Sequence, residues 1–287
     1  MLQHEVITSD GELSPLGSKK PSKRRRVLNV IGEVLLLLAF TLVLSISGQI
    51  TYDYARYSTF FVNGMSMYPT LNKNVTFVEE NGTSHDGGAS DSLGANYLWG
   101  DFNGRFNGHS SLTLSGTFYC DYGMMDAKPG FITSLKRFDI IVTYFYSGDT
   151  DLKIKRLMAL PGESWKFDKE GNFYVGKDPS SLALVEQPFL DEIEKEHPGW
   201  KASTYTGTSN MSGTLGEDEY FVCGDNRLKG ASGDSRSATP GPIKRSLLQG
   251  KAITLTGICA DHVANGLSTD YHPLWNSYKM PWQLEWL

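Results

Sequence analysis

Residues 27–50 read VLNVIGEVLLLLAFTLVLSISGQI, and between Val34 and Leu44 only Thr41 interrupts the apolar run. About 20 such residues in a helix cross the hydrocarbon core of a bilayer, so this stretch belongs in lipid. Asn29 and Glu33 lie near its basic end, where polar groups reach the interface. Lys23, Arg24, Arg25 and Arg26 stand directly before it, whereas only Asp53 and Arg56 follow closely. Positive-inside bias then keeps the N-terminus in the cytoplasm and sends residues 51–287 across. A cleavable signal peptide is the alternative, since Ser45-Ile46-Ser47 has a small-x-small pattern. Either reading places the body outside the cytoplasm, and no other stretch is long and apolar enough for a second span. The expected organisation is a basic tail (1–26), an anchor (27–50) and an extracytoplasmic domain (51–287).

Charge narrows the partners of that domain. The chain carries a net charge of −5, yet residues 1–26 hold six Lys or Arg against three acids, so the remainder is strongly acidic. An acidic body disfavours nucleic acid, whose phosphates require a basic surface. Cys120, Cys223 and Cys259 are widely spaced and show no metal-ligand pattern. In an oxidising compartment they leave room for one disulfide and one free thiol, with the pairing open. Neither a metal nor a cofactor is expected.

Alternating runs dominate the body. Residues 59–62, 139–144, 153–158, 165–167, 172–175 and 219–222 read as strands separated by Gly, Asn, Asp and Pro. Only Leu182–Glu196 suggests a helix. The fold class expected is mainly β, antiparallel sheets closed on one another behind one N-terminal transmembrane helix. Residues 72–131, rich in Gly, Ser and Asn, read as a mobile insertion of extended loop or weak hairpins. Residues 199–217 read as a smaller loop, and the tail 271–287, with Trp275, Trp282 and Trp286, either closes the core or rests at an interface.

Three segments carry chemistry. Asn63-Gly64-Met65-Ser66-Met67-Tyr68-Pro69-Thr70-Leu71 holds a hydroxyl at a sharp bend between Gly64 and Pro69. In Lys153-Ile154-Lys155-Arg156-Leu157-Met158-Ala159-Leu160-Pro161-Gly162-Glu163 cations interrupt a half-buried strand. A lysine facing apolar surroundings loses its preference for charge, and a neutral amine can take a proton from serine. The third segment is Gly224-Asp225-Asn226-Arg227 followed by Ser232-Gly233-Asp234-Ser235-Arg236. Each alone has a plain structural reading: a turn serine, a lysine-blunted sheet edge, a polar turn.

Together they resemble the bacterial type I signal peptidases, whose boxes read S-M-x-P-T-L, K-R-x-x-x-x-P-G-[DE] and G-D-N-R … S-x-D-S-R. Residues 135–142, LKRFDIIV, are similar to the family's R-G-D-I-V-V strand. All four occur in the family's order behind an anchor, although residues 72–131 are not covered. The resemblance implies a serine endopeptidase that removes signal peptides from exported preproteins at the outer membrane face. Such substrates carry small residues at positions −3 and −1 from the cut. It implies Ser66 as nucleophile, Lys155 as general base and Ser232 as the hydroxyl that orients the amine. Arg156 with Asp225 and Arg236 with Asp234 match two supporting ion pairs, and Met67, Leu71 and Ile154 match pocket positions. Lys153 shares a strand face with Lys155, so either could serve as base from the residues alone. The following Arg and the Pro-Gly-Glu spacing match Lys155. Gly64 leaves the second oxyanion donor unassigned, Phe138 replaces a usual Gly with an expected effect on packing only, and two extra residues precede Ser232. A non-catalytic tethered relative acting in surface assembly is the alternative function. A self-cleaving repressor would need a DNA-binding helical domain where this chain has a span.

Overall fold

A computed structural model of the protein describes residues 22–62, 64–73, 76–86, 115–202, 211–228, 231–264, 267–274 and 285–286. The stretch 87–114, within the expected insertion, lies outside the described residues, as do Lys19, Lys20, 203–210, Trp275 and Trp282. The chain divides into two units, Met1–Tyr54 and Ala55–Leu287.

Helix α1 runs from Lys23 to Arg56, 34 residues without a break. At 1.5 Å rise per residue it is about 50 Å long, more than a bilayer core requires. Every side chain from Val27 to Ile50 is exposed. A helix apolar on all sides gains nothing from water, whereas lipid satisfies all its faces. Thr51 returns its hydroxyl to Ser47 O at 2.8 Å, which keeps even that polar group internally bonded. The helix is long and apolar enough to cross a membrane.

The second unit is mainly antiparallel β. Its strands are β1 (Tyr57–Phe61), β2 (Thr76–Glu79), β3 (Ser84–Asp86), β4 (Gly116–Asp126), β5 (Ile140–Thr143), β6 (Lys153–Ala159), β7 (Ser164–Phe167), β8 (Phe173–Gly176) and β9 (Ala183–Val185). After the short helix α2 (Asp191–Glu196) come β10 (Ser212–Thr214), β11 (Glu219–Cys223), β12 (Ile243–Lys244), β13 (Leu248–Ala264), β14 (Leu267–Pro273) and β15 (Glu285–Trp286). One sheet has 11 strands, with the path β12-β11-β6-β5-β13-β4-β2-β3 and β1, β14 and β15 on its sides. A second sheet of four runs β10-β7-β8-β9.

The 17-residue β13 is the backbone of the large sheet. It pairs first with β5 and then along β4, with register shifts at Leu248/Gly250, Ala252/Thr254 and Leu255/Gly257 that bend it. The two sheets share a core in which Met158 and Phe221 of the large sheet meet Trp165, Phe167, Phe173 and Val175 of the small one. Trp165 and Phe221 lie 3.7 Å apart between ring centroids.

Three expectations need correction. The glycine-rich insertion contributes an 11-residue strand, β4, at the centre of the large sheet. Leu182–Glu196 is α-helical only over Asp191–Glu196, because Ala183–Val185 pairs with β8 and the chain then enters a single 3-10 turn at Pro188–Leu190. The three cysteines are all buried thiols, with Cys120 and Cys259 facing one another across β4 and β13.

Candidate active site

Ser66 sits on a tight turn that follows β1. Gly64 turns the chain at φ 114, and Tyr68 and Leu71 donate to Met65 O and Met67 O at 3.1 and 3.0 Å. Met65, Met67 and Leu71 are wholly buried, so the turn is pinned by its apolar neighbours while Ser66 stays half-buried. Met67 and Leu71 join Val62, Ile140, Ala252 and Leu255 in one core cluster, with Ile154 at its edge. The two expected pocket residues Met67 and Leu71 therefore form a floor under the turn, and Ile154 is the more open of the three.

Lys155 lies in β6 opposite Ile141 of β5, only 4 % exposed. Its Nζ is 2.7 Å from Ser66 Oγ and donates to Ile154 O at 2.9 Å. The Phe145 ring lies 5.8 Å from the same nitrogen. Burial drives the ammonium down to about 8, helped by the positive charges of Lys153 and Arg236 and opposed by Asp234 and Asp225. Lys153, in contrast, is a third exposed and points to Asp151 at 3.5 Å. The geometry thus brings Lys155, and not Lys153, to the serine.

The third segment closes over the turn from the other side. Asn226 N–H donates to Ser66 O at 3.0 Å, and its Nδ2 donates to Met65 O at 3.1 Å. Gly224 must be glycine for this approach: a Cβ there would stand 2.2 Å from Ser66 O and 2.3 Å from Ser232 Oγ. Ser232 thereby lies beside the Ser66 backbone, but its hydroxyl donates to Asp234 Oδ2 at 2.7 Å. The amine's own bonds run to Ser66 and Ile154, and Asp234, which takes the Ser232 proton in a hydrogen bond, acts on Lys155 through its charge.

Two buried ion pairs hold these pieces. Arg156 grips Asp225 through Nε–Oδ1 at 2.8 Å and a second nitrogen to Oδ2 at 2.6 Å. Thr70 of the serine turn donates to Asp225 Oδ2 and accepts from Arg156 at 3.2 Å, which links the first and second segments to the third. Arg156 also donates to Phe138 O at 2.7 Å and lies 4.0 Å over the Phe189 ring. Arg236 forms a matching fork with Asp234 at 2.8 and 2.6 Å. Burial alone would raise the Asp234 carboxyl, but the Arg236 charge and the bonds from Arg236, Gly224 and Ser232 bring it down to about 2.

Several contributors carried no assigned role in the sequence. Glu163 accepts from Arg137 at 2.7 Å and from Leu160 N–H at 2.7 Å, fastening the turn after β6. Thr70 and Asn226 were visible within the motifs, and their backbone and ion-pair contacts explain their presence. Phe138 does more than pack: it holds φ 73, a conformation natural to the Gly it replaces. A serine hydroxyl, an adjacent buried amine and a polar frame of ion pairs are groups that acyl transfer can use.

Residues 31–256 match the family model described as signal peptidase, peptidase S26. Signal peptidase I V of Bacillus subtilis is 32 % identical over 119 residues, 41 % of this chain and 64 % of that protein. Signal peptidase I of Streptococcus pneumoniae serotype 4 is 26 % identical over 146 residues, 41 % of this chain and 66 % of that protein. The chain thus spans a little under two thirds of the length of these relatives. A crystal structure of a signal peptidase I from Enterococcus faecalis is similar at TM-score 0.31 and 24 % identity, over 41 % of this chain and 95 % of that one.

Proposed function

Because the chain belongs to the signal peptidase family, peptidase S26, we propose that it is a serine endopeptidase that removes signal peptides from exported preproteins. The observation that carries this reading is the 2.7 Å contact between Ser66 Oγ and the buried Lys155 Nζ. Neutral Lys155 takes the Ser66 proton as Oγ attacks the scissile carbonyl. The ammonium so formed protonates the leaving amine, releasing the mature protein and leaving an acyl-enzyme. Water, deprotonated by the same amine, then cleaves the ester and restores Ser66. The Ser66 backbone N–H serves as one donor to the oxyanion. Arg156, Asp225 and Thr70 link the three segments, and the Asp234–Arg236 pair braces the third.

The pocket reading follows from the floor beneath the turn. Met67 and Leu71 pack into the core beneath Ser66 with Ile154 at the edge, a setting in which little room for large substrate side chains is expected. The unbroken apolar helix and the cluster Lys23–Arg26 support an anchor with the N-terminus in the cytoplasm and residues 51–287 on the outer side.

The test is incubation of the purified full chain with a model preprotein, followed by mapping of the new N-terminus. A cut directly after a small-x-small sequence is expected. No cleavage, or cutting at unrelated sites, would contradict the proposal.

A further inference from the structure

The turn that bears the nucleophile is closed by a residue outside the S-M-x-P-T-L box. Asn72 follows Leu71, is 1 % exposed and adopts φ 60, a left-handed conformation that Asn tolerates better than other side chains. Its Nδ2 donates both protons inward, to Val62 O at 2.7 Å and to Gly64 O at 2.9 Å. Its Oδ1 accepts from Asp121 N–H at 2.8 Å, and its own N–H donates to Asp121 Oδ2 at 2.6 Å. Val62 N–H completes the set by donating to Asp121 O at 2.9 Å. One side chain therefore joins the entry of the turn, at Val62 and Gly64, to its exit, and Asp121 fixes both to β4.

We infer that Asn72, clasped by Asp121, is a positioning residue that holds Ser66 Oγ at Lys155 Nζ. The inference rests on the serine–lysine reading above. Both ends of the turn need the amide: an Asp in its place could donate to neither carbonyl, and an apolar residue would leave buried donors and acceptors unmet. Apolar packing of Met65, Met67 and Leu71 sets the depth of the turn but is non-directional, so the directional bonds of Asn72 set its angle. Displacing a reacting group by about 1 Å can cost about 100-fold in rate.

The test compares Asn72→Gly, which keeps the positive φ but removes the amide, with Asp121→Asn, which keeps an acceptor for the Asn72 N–H. A control, Asp168→Ala, removes a similar clasp in the small sheet, where Asp168 accepts from Asn172 and Tyr174. Cleavage kinetics of a model preprotein against pH, thermal stability, and amide hydrogen exchange over residues 62–72 are measured on each full-length protein. Asn72→Gly is expected to lower kcat by about 10- to 100-fold with little change in KM. It should also hydrate the amine, moving the acid-side limb of the rate profile to higher pH, and speed exchange over 62–72. Asp121→Asn should retain most activity, and the control should lose stability only. Wild-type exchange over 62–72 in Asn72→Gly, or a fall in kcat matched by the control at equal loss of stability, would overturn the inference. Failure of the underlying reading shows differently, as cleavage persisting in Ser66→Ala. Exchange over 62–72 decides the clasp in that case too.

Discussion

A lysine kept inside a β-sheet is held against its own chemistry, and Lys155 shows the consequence in two ways. Its folded value of about 8 lies below the ordinary 10.5, so the unfolded chain binds a proton that the folded chain gives up. The cost to stability is fully present below pH 8, shrinks as pH rises toward 10.5 and is absent above it. It amounts to roughly 3 kcal/mol at neutral pH before loss of the serine contact is set against it. Lys155→Met is therefore expected to be more resistant to urea than wild type at pH 7, with the advantage gone near pH 10.5. An equal difference at both pH values would contradict this account. Asp234 has the opposite sign. Its carboxyl is held at about 2, so its contribution is present above the ordinary carboxylate range and is lost as pH falls through about 2. Asp234→Asn, which breaks the buried pair with Arg236, is expected to cost about 3–5 kcal/mol at neutral pH. The gap to wild type should narrow between about pH 4 and pH 2 in acid titration of unfolding. The serine and the amine that meet in the fold each sit in a spaced motif of the sequence. The partner of Ser232 could not, since Asp234 two residues on competes for its hydroxyl and only the folded loop decides. Nor does a Phe at position 138 announce a positive φ.

At the scale of elements, the strands that alternate apolar and polar side chains were legible: β5, β6, β7, β8 and β11 fall where the sequence predicts them. The two longest strands were not. β4 and β13 carry Gly123, Gly250 and Gly257, residues that read as loop punctuation in a linear sequence. In the sheet they mark bends and close approaches instead. A Cβ on Gly123 would stand 2.6 Å from the Phe60 ring and 2.6 Å from Thr254 O, because β4 is squeezed there between β1 and β13. Gly123→Ala is accordingly expected to destabilise the domain by about 1–3 kcal/mol, read from the urea midpoint. The pH dependence of cleavage should be unchanged, since neither Ser66 nor Lys155 touches that contact. A neutral substitution would show that β1 can move aside. The helix expected over Leu182–Glu196 failed for a related reason: pairing with β8 overrode a local apolar period.

Across the whole molecule, the large sheet brings together segments that are far apart in the chain. Ser66 and Lys155 are 89 residues apart in sequence and in hydrogen-bond contact, and Asp225 reaches Arg156 across 69 more. Family membership was legible because those segments keep their order. The β-rich class was legible from the strands, while the bent path of β13 that unites them was hidden in its glycines. The fold supplies a buried amine, a pinned serine turn and a frame of buried ion pairs, and the proposed chemistry depends on the first two. Its most direct test is the cleavage rate of one model preprotein by wild type, Ser66→Ala, Lys155→Ala and Lys153→Ala under identical conditions. Loss of the base should cost about two to four orders of magnitude, Ser66→Ala should abolish cleavage, and Lys153→Ala should only weaken it. Cleavage at the wild-type rate by either Ser66→Ala or Lys155→Ala would contradict the account.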